Sequence, residues 1–516
     1  MRLISPPLQL RGLVEDLADQ IEKRKASFLA AFSILYLAVT ALLASQKLLW
    51  NDELYTLYIS RLSTISDVWS ALSTGAEQLP PFFYVITRAS LALFGAHELS
   101  VRLPEVIGFW VMGVCLFQFV SKRTSAVYGF LAMLFPLVTA AYPYAYEARP
   151  YGLVLGFAGL ALLCWQSAGE RAQRALPLTG LALSLAAAVS CHYYAVFILL
   201  PFAIGEAISS LSRRRLDLPV WLALCIGSTP LIAFLPLIHR AMRYSSTFWS
   251  KPELLSAPKF YAFLLGPGVL ALMTVFVLCA IYPATLGLRH QPHYLYTALP
   301  YHEVAAGLGF MLIPVVALTS SMLVTNSFTH RYALPAVIGF SLIFAFGAYN
   351  LLNDRAMTAT ILTLSLCGFF LSLAALSFSG IVTAREVHTR ANEFLQSAGT
   401  SDLPIAVSDP HAFMMLAHYG SPDIASRVVY LAGPPESLRY LGHNSVEKGL
   451  LDLRPWFPVR VEEYQVFLAS KKRFLVYGSA GHPLNWLFSE LVADRRRVEL
   501  LGRRDDALLF LVTPKD

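Results

Sequence analysis

The stretch "PPFFYVITRASLALFG", Pro80 to Gly95, is apolar enough to enter a membrane but short for crossing one. A spanning helix takes about 20 residues, and an arginine at the bilayer centre, where Arg88 would sit, costs about 2.5–3.5 kcal/mol on insertion scales. A helix lying in the interface, with Arg88 turned to head groups or water, avoids that cost. The alternative is one more span with Arg88 buried against protein. The choice fixes which loops share a compartment.

The charges make it. Candidate spans run at roughly 28–46, 101–120, 125–143, 151–168, 176–191, 195–211, 219–238, 260–286, 304–325, 333–352 and 357–380, about eleven in all. If Pro80–Gly95 does not cross, then Lys23-Arg24-Lys25, Lys122-Arg123, Arg171 with Arg174, Arg213-Arg214-Arg215, Arg289 and Arg355 fall on one face, the cytoplasmic one by the positive-inside bias. If it crosses, the N-terminal cluster opposes the next three. The in-plane reading follows.

Composition agrees. Over 516 residues the chain is 56% hydrophobic and 14% charged, with a mean hydropathy of +0.56. A soluble domain carries about 25% charged residues, so the fold class expected is an all-α polytopic membrane protein with about 11 transmembrane helices plus in-plane helices. The net charge of +7 lies in small clusters between apolar runs, which reads as topology and not as a nucleic-acid surface. Cys115, Cys164, Cys191, Cys225, Cys279 and Cys367 all lie in or beside apolar segments without a CxxC, so neither a disulfide framework nor a cysteine zinc site is expected. Residues 1–27 form a polar segment ahead of the first apolar run, and a retained first helix is expected in place of a cleaved signal peptide.

The opposite face receives Lys47–Ser100, the turn "YPYAYEARPY" (Tyr142–Tyr151), "CHYY" (Cys191–Tyr194), the loop His239–Pro258, "NSFTHRY" (Asn326–Tyr332) and the tail after Thr383. The acid pair Asp52-Glu53 thus shares a compartment with Arg149, His192, His239 and Arg331. In the tail, "LPIAVSD", "RVVYLAG", "KRFLVYGSA" and "ALLFLVTP" read as strands, while "PHAFMMLAHYG" and "NWLFSELVADRRRVEL" read as helices. The expected domains are a cytoplasmic segment 1–27, a transmembrane domain 28–383 and a small α/β extracytoplasmic domain 384–516. No internal repeat supports an inverted-repeat transporter.

Adjacent carboxylates at a membrane surface are most simply a solvated helix cap. Here Trp50, Tyr55 and Tyr58 crowd the pair; partial desolvation raises proton affinity and suits a general base. Pro143 and Pro150 set Glu147 and Arg149 in an ordered bend, where Arg149 can offer a planar fork of donors to a phosphate. His192 with Tyr193, and His330 with Arg331 and Tyr332, repeat the theme at two helix ends; singly each reads as an interfacial belt residue. Together they suit an anionic substrate at the membrane surface. The segment His239–Pro258 reads either as a lid or as a plain connector. No Walker loop and no strand-to-helix GxGxxG is present, so a bound phosphate would belong to a lipid.

The ordered set "NDELY", "PPFFYVI", "ELSVRLPEVIGFW", "YEARPYGL", "HYY" and "HRYALP" resembles the bacterial membrane glycosyltransferases of the GT-C fold, over about the first two-thirds of the chain. Within them it is similar to the dolichyl-phosphate-mannose protein mannosyltransferase-like group, which includes the aminoarabinose lipid A transferase and the rhizobial lipopolysaccharide sugar transferases. The resemblance implies a bacterial inner-membrane enzyme, active on the periplasmic face, that moves a sugar from a polyprenyl-phosphate donor to a lipid, glycan or protein acceptor. It implies Asp52 as the base, Glu53 as a group that orients substrate or supports Asp52, and Arg149 with Tyr151 and Arg331 with Tyr332 as holders of the donor phosphate, in an inverting displacement. Many members carry His or Lys directly before the Pro-Pro of the in-plane helix; here "EQLPP" puts Leu79 there, so Arg88 or Arg102 is a candidate replacement cation. Glu147, His192, Tyr193 and His239 are further candidate substrate contacts. Acids and histidines leave a divalent metal open, though no ligand spacing demands one.

Three rival readings remain at this level. A transporter or flippase of polyprenyl-linked sugars would place ionisable residues near the bilayer midplane. An O-antigen ligase or polymerase would use lipid diphosphates through basic loops. A sensor or scaffold built on the tail domain would leave the outer clusters without function.

Overall fold

The computed structural model describes residues 8–170, 173–285, 299–352, 356–397, 402–479 and 484–514. Arg171, Arg289 and Arg355 of the charge argument lie outside the described residues. Among the described residues seven helices are long and apolar enough to cross a membrane: Lys25–Gln46, Glu98–Ser121, Tyr151–Glu170, Tyr193–Arg213, Leu218–Thr247, Tyr301–Thr325 and Met357–Ser397. Three expected spans are shorter, Ala126–Val138, Ala175–Cys191 and Ala336–Leu352. The remaining one is the helix Ser256–Thr285, bent at Gly266, where φ is 62°. A glycine accepts that left-handed φ at no steric cost, which is why the bend falls there.

Two of these helices, Glu98–Ser121 and Tyr151–Glu170, meet backbone to backbone. A methyl group on Gly108 would lie 2.5 Å from the Gly152 carbonyl oxygen, and one on Gly156 as close to that of Gly108. Such small-residue stripes are how helices associate where lipid offers no hydrophobic drive. The contact is sealed by Glu105, whose carboxylate accepts from the Leu153 N–H at 2.8 Å.

The deciding stretch forms the helix Pro81–Phe94, with Pro at its first position. At 1.5 Å per residue its 14 residues reach about 21 Å, short of a hydrocarbon core of roughly 30 Å. Both of its ends meet the same domain. Glu77 and Leu79, just before it, line a cavity together with His411 and His443 of the tail. Glu98, just after it, accepts from the hydroxyl of Tyr419 at 3.2 Å. A segment that leaves and returns to one end of the molecule has not crossed it. Arg88 donates to the Leu62 carbonyl and, at 2.8 Å, to that of Ser63, so protein backbone supplies its partners.

At the far end the basic clusters gather as the charge map requires. Arg123 pairs with Glu303 at 2.6 Å and Glu170 at 2.5 Å, and Arg174 pairs with Asp217 at 2.6 Å, which Arg213 also approaches. Glu22, beside the N-terminal cluster, accepts from Ala126 N–H at 2.7 Å.

A helix Ala356–Ser397 runs continuously through position 384 into the C-terminal domain. Its sheet comprises β1 (Ile405–Val407), β2 (Val428–Ala432), β3 (Val461–Glu463), β4 (Phe474–Ser479), β5 (Arg497–Arg504) and β6 (Ala507–Thr513), in the order β3-β2-β1-β4-β6-β5. The first four are parallel, and β6 and β5 close the sheet antiparallel. All four strands read from the sequence are present. The helix read over "NWLFSELVADRRRVEL" stops at Ala493, and Arg497 onward is β5 instead. Arg495 at φ 57° reverses the chain, and the remainder pairs with β6 along its length.

Candidate active site

Asp52 and Glu53 occupy the first turn of the helix Asn51–Ser60, where carboxylates suit the helix dipole. Successive helical residues diverge by about 100°, so the two acids point to different places. Glu53 turns inward and is wholly buried: Arg102 grips it through Nε and Nη2, each at 2.6 Å, and the Ala148 N–H donates to it at 2.7 Å. Burial pushes the Glu53 carboxyl up, but the Arg102 and Lys47 charges and these hydrogen bonds outweigh it and hold it below its usual value. Arg102 spends its other donors on the carbonyls of Ala44, Lys47 and Leu48. The pair therefore ties the end of the first span, the acid helix and the turn that carries Arg149.

Asp52 turns outward into a cavity of ≈ 470 Å³ that it lines with Glu77, Arg149, Tyr151, His192, Arg331 and Tyr332. Arg331 donates to its carboxylate at 2.7 Å. The Arg331 guanidinium also lies over the Trp50 ring, 5.9 Å from its centroid. Arg149 donates to the Asp52 backbone carbonyl at 3.3 Å and to the Glu77 carboxylate at 3.0 Å, leaving its buried Nε without a partner. The expectation that aromatic walls raise the proton affinity of Asp52 is corrected here. Burial does push it up, yet the charges of Arg331 and Arg149 and the Arg331 hydrogen bond prevail, and its pKa lies below the ordinary aspartate value. Asp52 is a fixed, ionised carboxylate.

Behind the arginines stand stacked rings. Tyr332 stacks on Tyr194 at 4.4 Å between centroids, and His192 sits 5.4 Å from Tyr151 and 5.2 Å from Tyr332. Burial first, then the Arg149 and Arg331 charges, push the His192 pKa down to about 3, so its ring is neutral.

The structure brings together Asp52, Arg149, Tyr151, His192, Arg331 and Tyr332. It places other candidates elsewhere. Glu53 and Arg102 lie beneath the cavity as a buried pair, and Arg88 binds backbone carbonyls. Glu147 faces Lys47 at 3.8 Å, Tyr193 packs on Phe234 beside a smaller recess, and His239 is exposed. The segment His239–Pro258 walls the cavity through Tyr244, Phe248 and Trp249, and Tyr244 donates to Asp452 of the C-terminal domain. Sequence reasoning missed Glu77 as the partner of Arg149, although its place before the Pro-Pro was visible. It also missed His411, His443 and Ser445, for which no motif existed. Among the described residues no group of three or more His, Cys, Asp or Glu converges as metal ligands would.

A helical membrane domain with an acid helix and an in-plane helix carries an α/β domain at one end, and its fold is of the GT-C class. Residues 78–239 match the family model described as dolichyl-phosphate-mannose-protein mannosyltransferase. Over the whole chain the fold is similar to that of ArnT from Cupriavidus metallidurans in the apo state, with a TM-score of 0.60 at 12% identity, covering 94% of this chain and 98% of that one. The same protein bound to undecaprenyl phosphate gives a TM-score of 0.58 at 12% identity and the same coverage. Comparison with curated protein sequences gives no match. The family model covers less than half of the chain, and the likeness to ArnT is a likeness of fold.

Proposed function

We propose that this protein transfers a sugar from a polyprenyl-phosphate donor to an acceptor hydroxyl on the periplasmic face of a bacterial inner membrane. One observation carries the reading: guanidinium groups from two separate loops meet at Asp52 in an open cavity, Arg331 on its carboxylate and Arg149 on its backbone carbonyl. The binding of undecaprenyl phosphate by ArnT supports the donor class. In the step, Asp52 takes the proton of the acceptor hydroxyl as that oxygen bonds to the anomeric carbon. The bond from that carbon to the lipid phosphate breaks, and its electron pair leaves with the phosphate. Negative charge grows there, where fixed guanidinium donors stabilise it most. As the donor phosphate engages Arg331, it shares the donors that held Asp52 and frees the carboxylate to act. Inversion at the anomeric carbon follows from a single displacement.

A flippase is the second reading, and the position of Asp52 at one end of the helices beside the C-terminal domain counts against it. The test is mass spectrometry of lipid, polysaccharide and glycoprotein fractions from a deletion strain. Loss of one sugar mass from one acceptor fraction is expected; a change confined to the distribution of lipid carriers would instead identify a flippase.

A further inference from the structure

We infer that the C-terminal domain supplies the acceptor-binding wall of this cavity, and that the acceptor it holds is a saccharide; the inference rests on the transferase reading above. The wall presents His411, His443 and Ser445 from that domain, with Trp249 beside them. Among the described residues His411 Nδ1, His443 Nδ1 and Ser445 Oγ are each buried and without a hydrogen-bond partner, and Ser445 is only 9% exposed. Folded proteins pair nearly all buried polar atoms, so unpaired groups in residues that line a cavity offer bonds that a ligand or water can complete when a ring or hydroxyl turns toward it. The donor chemistry does not use them, since Arg149 and Arg331 lie on the membrane domain.

The chemistry of the wall selects the ligand. Among the described residues, every fixed charge lining the cavity, on Asp52, Glu77, Arg149 and Arg331, belongs to the membrane domain, so the C-terminal side favours a neutral, hydroxyl-bearing group. Trp249 is 50% exposed, and the electron-rich face of an indole attracts the positively polarised C–H groups of a sugar ring. The wall is also held rigidly to the acid helix. The Tyr58 hydroxyl meets His418 Nδ1 at 3.1 Å, Leu49 N–H donates to Tyr419 at 2.9 Å, and Phe457 packs on Tyr55 at 4.9 Å. Binding energy on the wall is thereby available to orient a hydroxyl beside Asp52.

The test uses the full chain with Ser445→Ala, His443→Gln and Trp249→Ala/Ser445→Ala, in the deletion strain and in nanodiscs. The expected result is that the sugar mass added by the wild type sits in a glycan fraction and falls at least tenfold in the double variant. Affinity for undecaprenyl phosphate stays within twofold, and Ser445→Ala, which removes an unpaired buried hydroxyl, melts no lower than wild type. Whether the mass is lost from lipopolysaccharide or from free polysaccharide tells a lipid-linked glycan from a soluble one. Finding the mass in a glycoprotein or phospholipid fraction, or wild-type transfer by the wall variants, overturns the inference. Failure of the wild type to bind undecaprenyl phosphate contradicts the donor reading, while the fraction that carries the mass still decides the acceptor.

Discussion

Replacing Arg102 by Met strands the carboxylate of Glu53 in a site from which water is excluded. Both side chains are 0% exposed, and the guanidinium holds Glu53 through two contacts at 2.6 Å while also serving the carbonyls of Ala44, Lys47 and Leu48. Breaking one partner of a buried ion pair costs about 3–5 kcal/mol, chiefly for the charge left behind. At about 2–4 °C per kcal/mol for a large domain, the melting temperature should fall by roughly 6–20 °C. The assay is tryptophan-fluorescence unfolding in nanodiscs at one fixed scan rate. Arg102→Met/Glu53→Met should recover much of that loss, because a well-packed apolar pair replaces a buried ion pair at little net cost. A fall under about 2 °C in the single variant, or simple additivity in the double, would mean that Arg102 and Glu53 are not a coupled buried pair.

Three further outcomes are expected. Arg331→Gln removes the principal charge that lowers the Asp52 pKa, so burial prevails and the acidic limb of the pH–rate profile moves to higher pH; an unmoved limb contradicts the role of Arg331. His192 is depressed from 6.5 to about 3, so its neutral ring gives stability that is full above pH 6.5 and lost as pH falls towards 3; His192→Gln should flatten that part of a stability-against-pH curve. Gly75 holds φ at 80°, and a methyl group there would lie 2.5 Å from the Arg240 carbonyl, so Gly75→Ala should cost at least about 1–2 kcal/mol and disturb the Tyr244–Trp249 wall, read as a lower melting temperature and weaker transfer.

Much of this was legible in the chain. Hydropathy marked the spans because lipid forces every backbone group into helices, and the charge clusters grouped the loops by end of the molecule. The distance between Asp52 and Arg331, separated by 279 residues, was bridged by sidedness alone, and the structure joins them at 2.7 Å. What stayed hidden depended on packing. That Asp52 faces a cavity while Glu53 faces Arg102 is a matter of helix rotation. That Glu77 neutralises Arg149 requires the turn before Pro81 to fold back, which a left-handed Gly75 permits. The lowered proton affinity of Asp52 could not be read from neighbouring aromatics, because the arginines that decide it arrive from distant loops. The contribution of His411 and His443 came from a domain whose docking left no mark on local sequence.

The most direct test of the account is sugar transfer by Asp52→Asn in membranes that retain the protein. The substitution keeps the shape of the side chain and removes its capacity to take a proton. Transfer should fall by about 10²- to 10⁴-fold, with undecaprenyl phosphate still bound. Transfer at the wild-type rate would contradict the assignment of Asp52 as the base.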